Sequence, residues 1–342
     1  MDILIYSLQF IVGLAAIVKG ADWLTDGAAS IARKFGIPTL VVGLTIVAMG
    51  SSAPELVVSV VSAIQGNADI ALGNVVGSNI FNTLAIMGVT AMVCPIVVER
   101  GNIRNDVPFS VLASVAVFIT AFDSLFNGRL TNAVGTDTII QQNIISRTDG
   151  LLLLCMFAIF MSYTMSIARR GDGTPTAEAP AADDGKDITE MPTWKCVAWI
   201  VTGLAGLIIG GNWLVGGASG LALMMGVSQS IIALTIVSMG TSAPELAASV
   251  MAARKSDTAM ALGNVVGSNV FNVFFVLGCA ATIHPLGIGG ITLFDIATLL
   301  VASATLWLLC KFGKTYYTLT RLEGALLVIM AVAYYGIIVY NA

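Results

Sequence analysis

Charge is what this sequence most lacks. Only 11% of its 342 residues are Asp, Glu, Lys or Arg, and 57% are hydrophobic. Soluble domains carry roughly 25% charged residues, so an ordinary water-soluble globule is excluded. There is a single histidine, His284, which rules out a histidine-built metal cage and leaves an interfacial role at a helix end. The five cysteines, Cys94, Cys155, Cys196, Cys279 and Cys310, form no CxxC pair and sit in or beside apolar stretches. They read as small hydrophobes rather than as a zinc or redox motif. A basic cluster interleaved with aromatics is also missing, so the net charge of −4 carries no nucleic-acid signal.

What is present is a series of long apolar runs. Crossing a hydrocarbon core of roughly 30 Å takes about 20 residues as a helix. Ten such runs are predicted, over 2–19, 38–64, 69–95, 107–124, 149–167, 195–217, 228–253, 258–284, 292–311 and 321–340. They are continuous, without the alternation of a membrane β-barrel, so the fold class is an all-α polytopic membrane protein. The first run lacks a basic start, and Gly20-Ala21-Asp22-Trp23 resembles Gly210-Gly211-Asn212-Trp213 deep in the chain; it reads as a retained helix, not a signal peptide. With the N-terminus outside, all sixteen basic residues except Arg129 and Arg147 fall on the cytoplasmic side. That bias predicts a multi-pass protein of the plasma membrane with both termini outside.

The chain repeats itself at an offset of 190 residues. GLTIVAMGSSAPEL at 43–56 matches ALTIVSMGTSAPEL at 233–246, and ALGNVVGSNIFN at 71–82 matches ALGNVVGSNVFN at 261–272. Two homologous halves follow, 1–168 with its repeated segment at 38–95 and 195–342 with its own at 228–284. Five predicted spans per half is an odd number, so the second copy enters the membrane in the opposite sense. Inverted repeats are the architecture of many secondary transporters, with the substrate site at the midplane between copies. Residues 169–194 switch to Pro, Ala, Gly and charged residues and read as a flexible cytoplasmic linker. The polar stretch 126–147 reads as an extracellular loop.

Glu55 and Glu245 are the carboxylates deepest in their apolar runs, and they occupy equivalent positions. A membrane carboxylate costs roughly 2.5–3.5 kcal/mol on insertion scales, so a matched pair points to a pathway or a bound ion rather than to a structural contact. Pro54 and Pro244 precede them. Proline inside a helix removes a backbone bond and clashes with the carbonyl four residues back, so broken helices are expected, with carbonyls freed around Ala48 to Gly50 and Ser238 to Gly240. Ser51 and Glu55 stand at i and i+4 with Ser52 adjacent, and Thr241, Ser242 and Glu245 repeat the arrangement. In the next helix of each copy Ser78 and Asn82 share a face, as do Ser268 and Asn272. Gly73, Gly77, Gly263 and Gly267 fit close helix packing; Asn74, Asn79, Asn264 and Asn269 fit either role. Carboxylates, hydroxyls, amides and carbonyls without thiolate or imidazole form a hard-cation set, suited to calcium with its roughly six to eight oxygen ligands and equally to sodium. Asp106 and Asp295 read as helix N-terminal caps, Asp22 as a helix-end residue, and Tyr316, Tyr317, Tyr334, Tyr335 and Tyr340 as interfacial anchors.

At these motifs the sequence resembles the cation/calcium exchanger superfamily, specifically prokaryotic sodium/calcium antiporters. The matching segments are Gly50–Glu55 with Gly73–Asn82, and Gly240–Glu245 with Gly263–Asn272. The resemblance implies a non-enzymatic exchanger, without cofactor, in which inward Na⁺ drives Ca²⁺ outward by alternating access, helices 1 and 6 sliding across the rest. It puts calcium on Glu55 and Glu245 with Ser52, Ser242 and nearby carbonyls. Sodium would fall on Ala48, Ser51, Ser78, Ser238, Thr241 and Ser268, with Asn82 and Asn272 at the remaining polar corners. Some relatives, potassium-dependent ones among them, carry Asp at the position of Asn272, and proton/calcium exchangers carry an acid where Gly77 and Gly267 stand. The first departure argues against potassium dependence, and the second favours sodium over protons. A proton-coupled or other divalent-cation antiporter, a calcium channel and a non-transporting scaffold are the alternatives; the ions and the lipid bilayer are the only partners expected.

Overall fold

The computed structural model describes residues 2–98, 100–122, 143–170, 192–225, 238–288, 291–313 and 317–341. Helix α1 (Asp2–Phe35) leads into a broken pair, α2 (Thr39–Ser51) and α3 (Ala53–Ile64), then α4 (Ala68–Val93), α5 (Arg100–Ala121) and α6 (Arg147–Arg170). The second half runs through α7 (Thr193–Met224), the short α8 (Ser238–Thr241) and α9 (Ala243–Arg254), α10 (Thr258–Ile283), α11 (Leu293–Phe312) and α12 (Arg321–Asn341). Among the described residues, seven helices are long and apolar enough to cross a membrane, and up to eight if α2 and α3 form one span. The runs expected at 107–124 and 228–253 meet, respectively, a shorter apolar helix, Asn105–Ala121 within α5, and a stretch described only from Ser238 onward. Most of the loop at 126–147 and of the linker at 169–194 lies outside the described residues, as does Tyr316.

The break between α2 and α3 bends the chain by 49°. It falls at Ser52 (φ −84°, ψ 12°), two residues before Pro54. Pro54 then sits in the first turn of α3, where a missing N–H leaves no bond unmade. Because α2 closes its last turn before the bend, the Ala48 carbonyl accepts the Ser52 N–H at 3.0 Å and the Gly50 carbonyl also takes a backbone N–H. This corrects the expectation of freed carbonyls at Ala48 and Gly50. Ser242 (φ −90°, ψ 8°) repeats the break before α9.

Helices α4 and α10 are the most buried of the long apolar helices. Both widen into π-helical turns midway, at Phe81–Ile86 and Phe271–Leu277, and α2 does so at Gly43–Val47. Short pairs of strands, absent from the all-α expectation, clasp the helix ends. β1 (Ile96–Val97) pairs antiparallel with β4 (Thr318–Leu319), and β2 (Ile144–Ile145) with β3 (Leu286–Gly287). Reciprocal contacts accompany them. Arg321 donates to the Val93 carbonyl at 3.5 Å and Arg147 to the Ile283 carbonyl at 3.4 Å.

Apolar side chains collect into two bodies. The larger joins α4, α5, α6, α10, α11 and α12 around residues such as Leu72, Ile80, Phe160, Val270 and Phe274. The smaller gathers α1 and α7 with Val42, Val47, Ala248 and Ala252, facing them from α2 and α9. Glycines let α1 and α7 cross backbone to backbone: a Cβ on Gly20 would stand 2.7 Å from the Gly203 carbonyl, and one on Gly203 2.6 Å from the Leu24 nitrogen. Outward faces, including Leu4, Leu8, Ile11, Ile159, Ile329 and Val332, are apolar and exposed, as lipid contact requires.

Several minor expectations change. Asp22 is not at a helix end, because α1 continues to Phe35; its carboxylate pairs with Lys255 at 2.7 Å and Lys19 at 3.2 Å. Asp106 lies inside α5 rather than at its cap, and accepts from the Tyr163 hydroxyl at 3.0 Å. Asp295 does cap α11, in a reciprocal box with Thr292. Tyr334 is buried and donates to Asp295 at 2.9 Å, and Tyr335 packs on the larger core, so neither is an interfacial anchor; Tyr340 is exposed.

Candidate functional site

The two helix breaks bring their motifs against one another. Ser52, at the first break, donates to Glu245 Oε1 at 2.6 Å; Ser242, at the second, donates to Glu55 Oε1 at 3.2 Å. Each half thus supplies the hydroxyl that holds the other half's carboxylate. Thr241 lies beside the Glu55 carboxylate and Ser51 beside that of Glu245. Both glutamates are fully buried, and the second oxygen of each, Oε2, has no hydrogen-bond partner in the protein.

The helices that follow add further unpaired polar atoms. Ser78 Oγ and both polar atoms of the Asn82 side chain on α4 are buried without a partner, as are Ser268 Oγ and Asn272 Oδ1 on α10. Leaving one such group unmade costs about 1–3 kcal/mol. Seven of the residues picked out in the sequence, Asn269 with its Oδ1 among them, therefore hold buried polar atoms open. A hard cation, which takes oxygen donors only, is the class of ligand that satisfies the open oxygens together, while the Asn82 amide nitrogen needs an acceptor instead. No group of three His, Cys, Asp or Glu residues occurs among the described residues, in keeping with two carboxylates diluted among neutral donors. Ala48 lies at the end of α2, where its carbonyl keeps company with the Ser51 hydroxyl at 3.3 Å. Ser238 opens α8, next to residues outside the described ones.

The asparagines left undecided by sequence take structural positions. Asn74 donates to the Glu55 carbonyl at 3.2 Å and to Ser59 Oγ at 2.9 Å. Asn264 repeats this with the Glu245 carbonyl at 3.2 Å and Ser249 Oγ at 2.8 Å. Each pins a glutamate's backbone to the next helix. Ser59 and Ser249, which sequence reasoning passed over, stand four residues after the glutamates at the same repeat offset, and that register was the available signal. Asn79 and Asn269 sit where the halves meet: Asn79 donates to the Asn269 carbonyl at 3.2 Å, and Asn269 to Thr83 Oγ1 at 2.8 Å.

A helical, membrane-embedded protein with paired buried carboxylates amid unpaired oxygens is the class that fold and site define. A family model described as sodium/calcium exchanger protein matches residues 5–166 and 195–340. The putative antiporter CaxA of Alkalimonas amylolytica is 36% identical over 97% of this chain and 98% of its own. The sodium/calcium exchanger MaX1 of Methanosarcina acetivorans is 30% identical over 97% of this chain and 98% of its own. A structure of the sodium-calcium exchanger NCX_Mj superposes with a TM-score of 0.76 at 28% identity, covering 97% of this chain and 98% of that one. The chain belongs to the sodium/calcium exchanger family, within the cation/calcium exchanger superfamily. It is a transmembrane antiporter of that type and not an enzyme.

Proposed function

We propose that the protein couples Na⁺ entry to Ca²⁺ exit across the plasma membrane by alternating access, with both ions held in turn at one site between two inverted repeats. The observation that carries the reading is the reciprocal pairing of Ser52 with Glu245 and Ser242 with Glu55, beside buried polar atoms that no protein group pairs. Two carboxylates supply about −2 of charge, which one divalent cation or more than one sodium ion neutralises. Calcium would rest on Glu55, Glu245, Ser52 and Ser242. Sodium would use the Ala48 and Ser238 carbonyls with Ser51, Thr241, Ser78 and Ser268, since a carbonyl carries a second lone pair. Asn82 and Asn272 close the site.

The repeats, 1–168 and 195–342, would be joined by a cytoplasmic linker at 169–194, with both termini outside. The reciprocal strand clasps and arginine–carbonyl bonds support that inverted relation. The close glycine crossing of α1 and α7 at Gly20 and Gly203 supports their motion as one sliding pair.

The test is ⁴⁵Ca²⁺ uptake into proteoliposomes under imposed Na⁺, K⁺ or H⁺ gradients. Uptake driven by Na⁺ alone, and lost in Glu55→Gln and Glu245→Gln, is the expected result. Uptake that follows an H⁺ gradient instead would move the protein to proton coupling, and flux that never runs uphill would make it a channel.

A further inference from the structure

Asn272 and Asn82 are equivalent in the repeat, yet the structure treats them differently. Both polar atoms of the Asn82 side chain are unpaired, whereas only Oδ1 of Asn272 is. The Asn272 amide nitrogen donates to Asn79 Oδ1 at 3.2 Å, and the Asn79 amide nitrogen donates in turn to the backbone carbonyl of Asn269 at 3.2 Å. All three side chains are buried, between 0% and 2% exposed.

The polarity of this chain of bonds is set from one end. A backbone carbonyl accepts and cannot donate, so Asn79 must turn its NH₂ toward Asn269. Its oxygen is then left to accept, and Asn272 must answer with its own NH₂. Flipping either amide would set oxygen against oxygen in a buried setting and forfeit the hydrogen bond made there. Asn272 is thereby obliged to present oxygen, never nitrogen, on its unpaired side. No such relay reaches Asn82.

We propose that Asn79 is a positioning residue that locks the Asn272 amide with its oxygen toward the cation, making one of two equivalent asparagines a fixed ligand and leaving the other free to rotate. The proposal rests on the cation-site reading above and adds a specificity consequence. The relay matches a neutral amide at position 272: a carboxylate there would face the Asn79 oxygen and repel it. Asn79 thus selects Asn over Asp at that corner of the site.

The test is equilibrium ⁴⁵Ca²⁺ binding and its displacement by Na⁺ on purified full-length protein, for Asn79→Leu, Asn272→Ala and the double variant. Asn79→Leu, close in volume, is expected to weaken Ca²⁺ binding roughly fivefold or more, about the worth of one hydrogen bond. In the Asn272→Ala background the same change is expected to do nothing further, because Asn79 acts only through Asn272. Asn79→Asp keeps an acceptor for Asn272 and is expected to fall between wild type and Asn79→Leu; should Asn79→Leu fail to fold, Asn79→Asp with and without Asn272→Ala gives the same cycle. Additive losses, or unchanged affinity in Asn79→Leu, would overturn the relay. Glu55→Gln separates the two readings: lost binding there beside additive asparagine effects sinks the relay alone, and retained binding sinks the site and the relay with it.

Discussion

At the scale of single residues, the two serines at the helix breaks perform matched tasks at unmatched distances. Ser52 reaches Glu245 at 2.6 Å and Ser242 reaches Glu55 at 3.2 Å. Hydrogen bonds to charged groups are worth about 1.5–3 kcal/mol, and shorter ones more. Ser52→Ala is therefore expected to weaken Ca²⁺ binding by roughly tenfold and Ser242→Ala by less, measured by equilibrium binding; equal losses would mean that this asymmetry has no bearing on affinity. The glutamates and serines were legible in the sequence because polar groups stand out in an apolar run and because the run occurs twice. The roles of Asn79 and Asn269 were not. Which partner an amide finds depends on how α4 meets α10, and nothing in local spacing encodes a contact 190 residues away.

Among elements, the tight connections before α4 and α10 offer a direct comparison. Gly66 (φ +74°) makes the first and Ser256 (φ +62°) the second. A left-handed backbone costs an ordinary residue about 1–2 kcal/mol. Ser256→Gly is expected to raise the thermal unfolding midpoint in detergent, recovering about 1 kcal/mol less the entropy glycine adds to the unfolded chain. One residue on, Asp257 caps α10 through the Met260 N–H at 2.9 Å and accepts from Thr39 of the other half at 2.9 Å. Asp257→Ala removes both bonds and is expected to cost about 1–2 kcal/mol, whereas Asp257→Asn keeps an acceptor and should cost little. Burial holds the Asp257 carboxyl above its usual value, so the folded protein retains that proton longer than the unfolded chain does. Its contribution to stability is largest in acid and declines as pH rises through the folded value, and a pH series of unfolding midpoints on Asp257→Asn should lack that decline. Helix positions were readable from apolar length. The two-residue clasps were not, since they exist only where the two halves pair, and the π-helical turns leave no period of their own.

For the molecule as a whole, Lys255 ties the end of α9 to α1, across helices that share the smaller apolar body. It follows α9, and its ammonium meets the Asp22 carboxylate at 2.7 Å, Asp26 at 2.8 Å and Thr25 at 2.9 Å, all on α1. Partly exposed pairs of this kind add about 0–1 kcal/mol, so Lys255→Ala should scarcely alter unfolding in detergent. If α1 travels against α9, however, these contacts must part on each cycle, and the same variant is expected to change the rate of Na⁺-driven Ca²⁺ uptake more than its affinity. A variant with wild-type rate would mean that α1 stays put at that point. The glycine crossing between α1 and α7 bears on the same motion. Helices whose backbones touch at Gly20 and Gly203 leave no room between them for even a methyl group, and they pack as one unit. If that pair moves as proposed, a gate made of one rigid piece shuts the far entrance in the act of opening the near one, and the membrane is spared an ion leak without any separate lock.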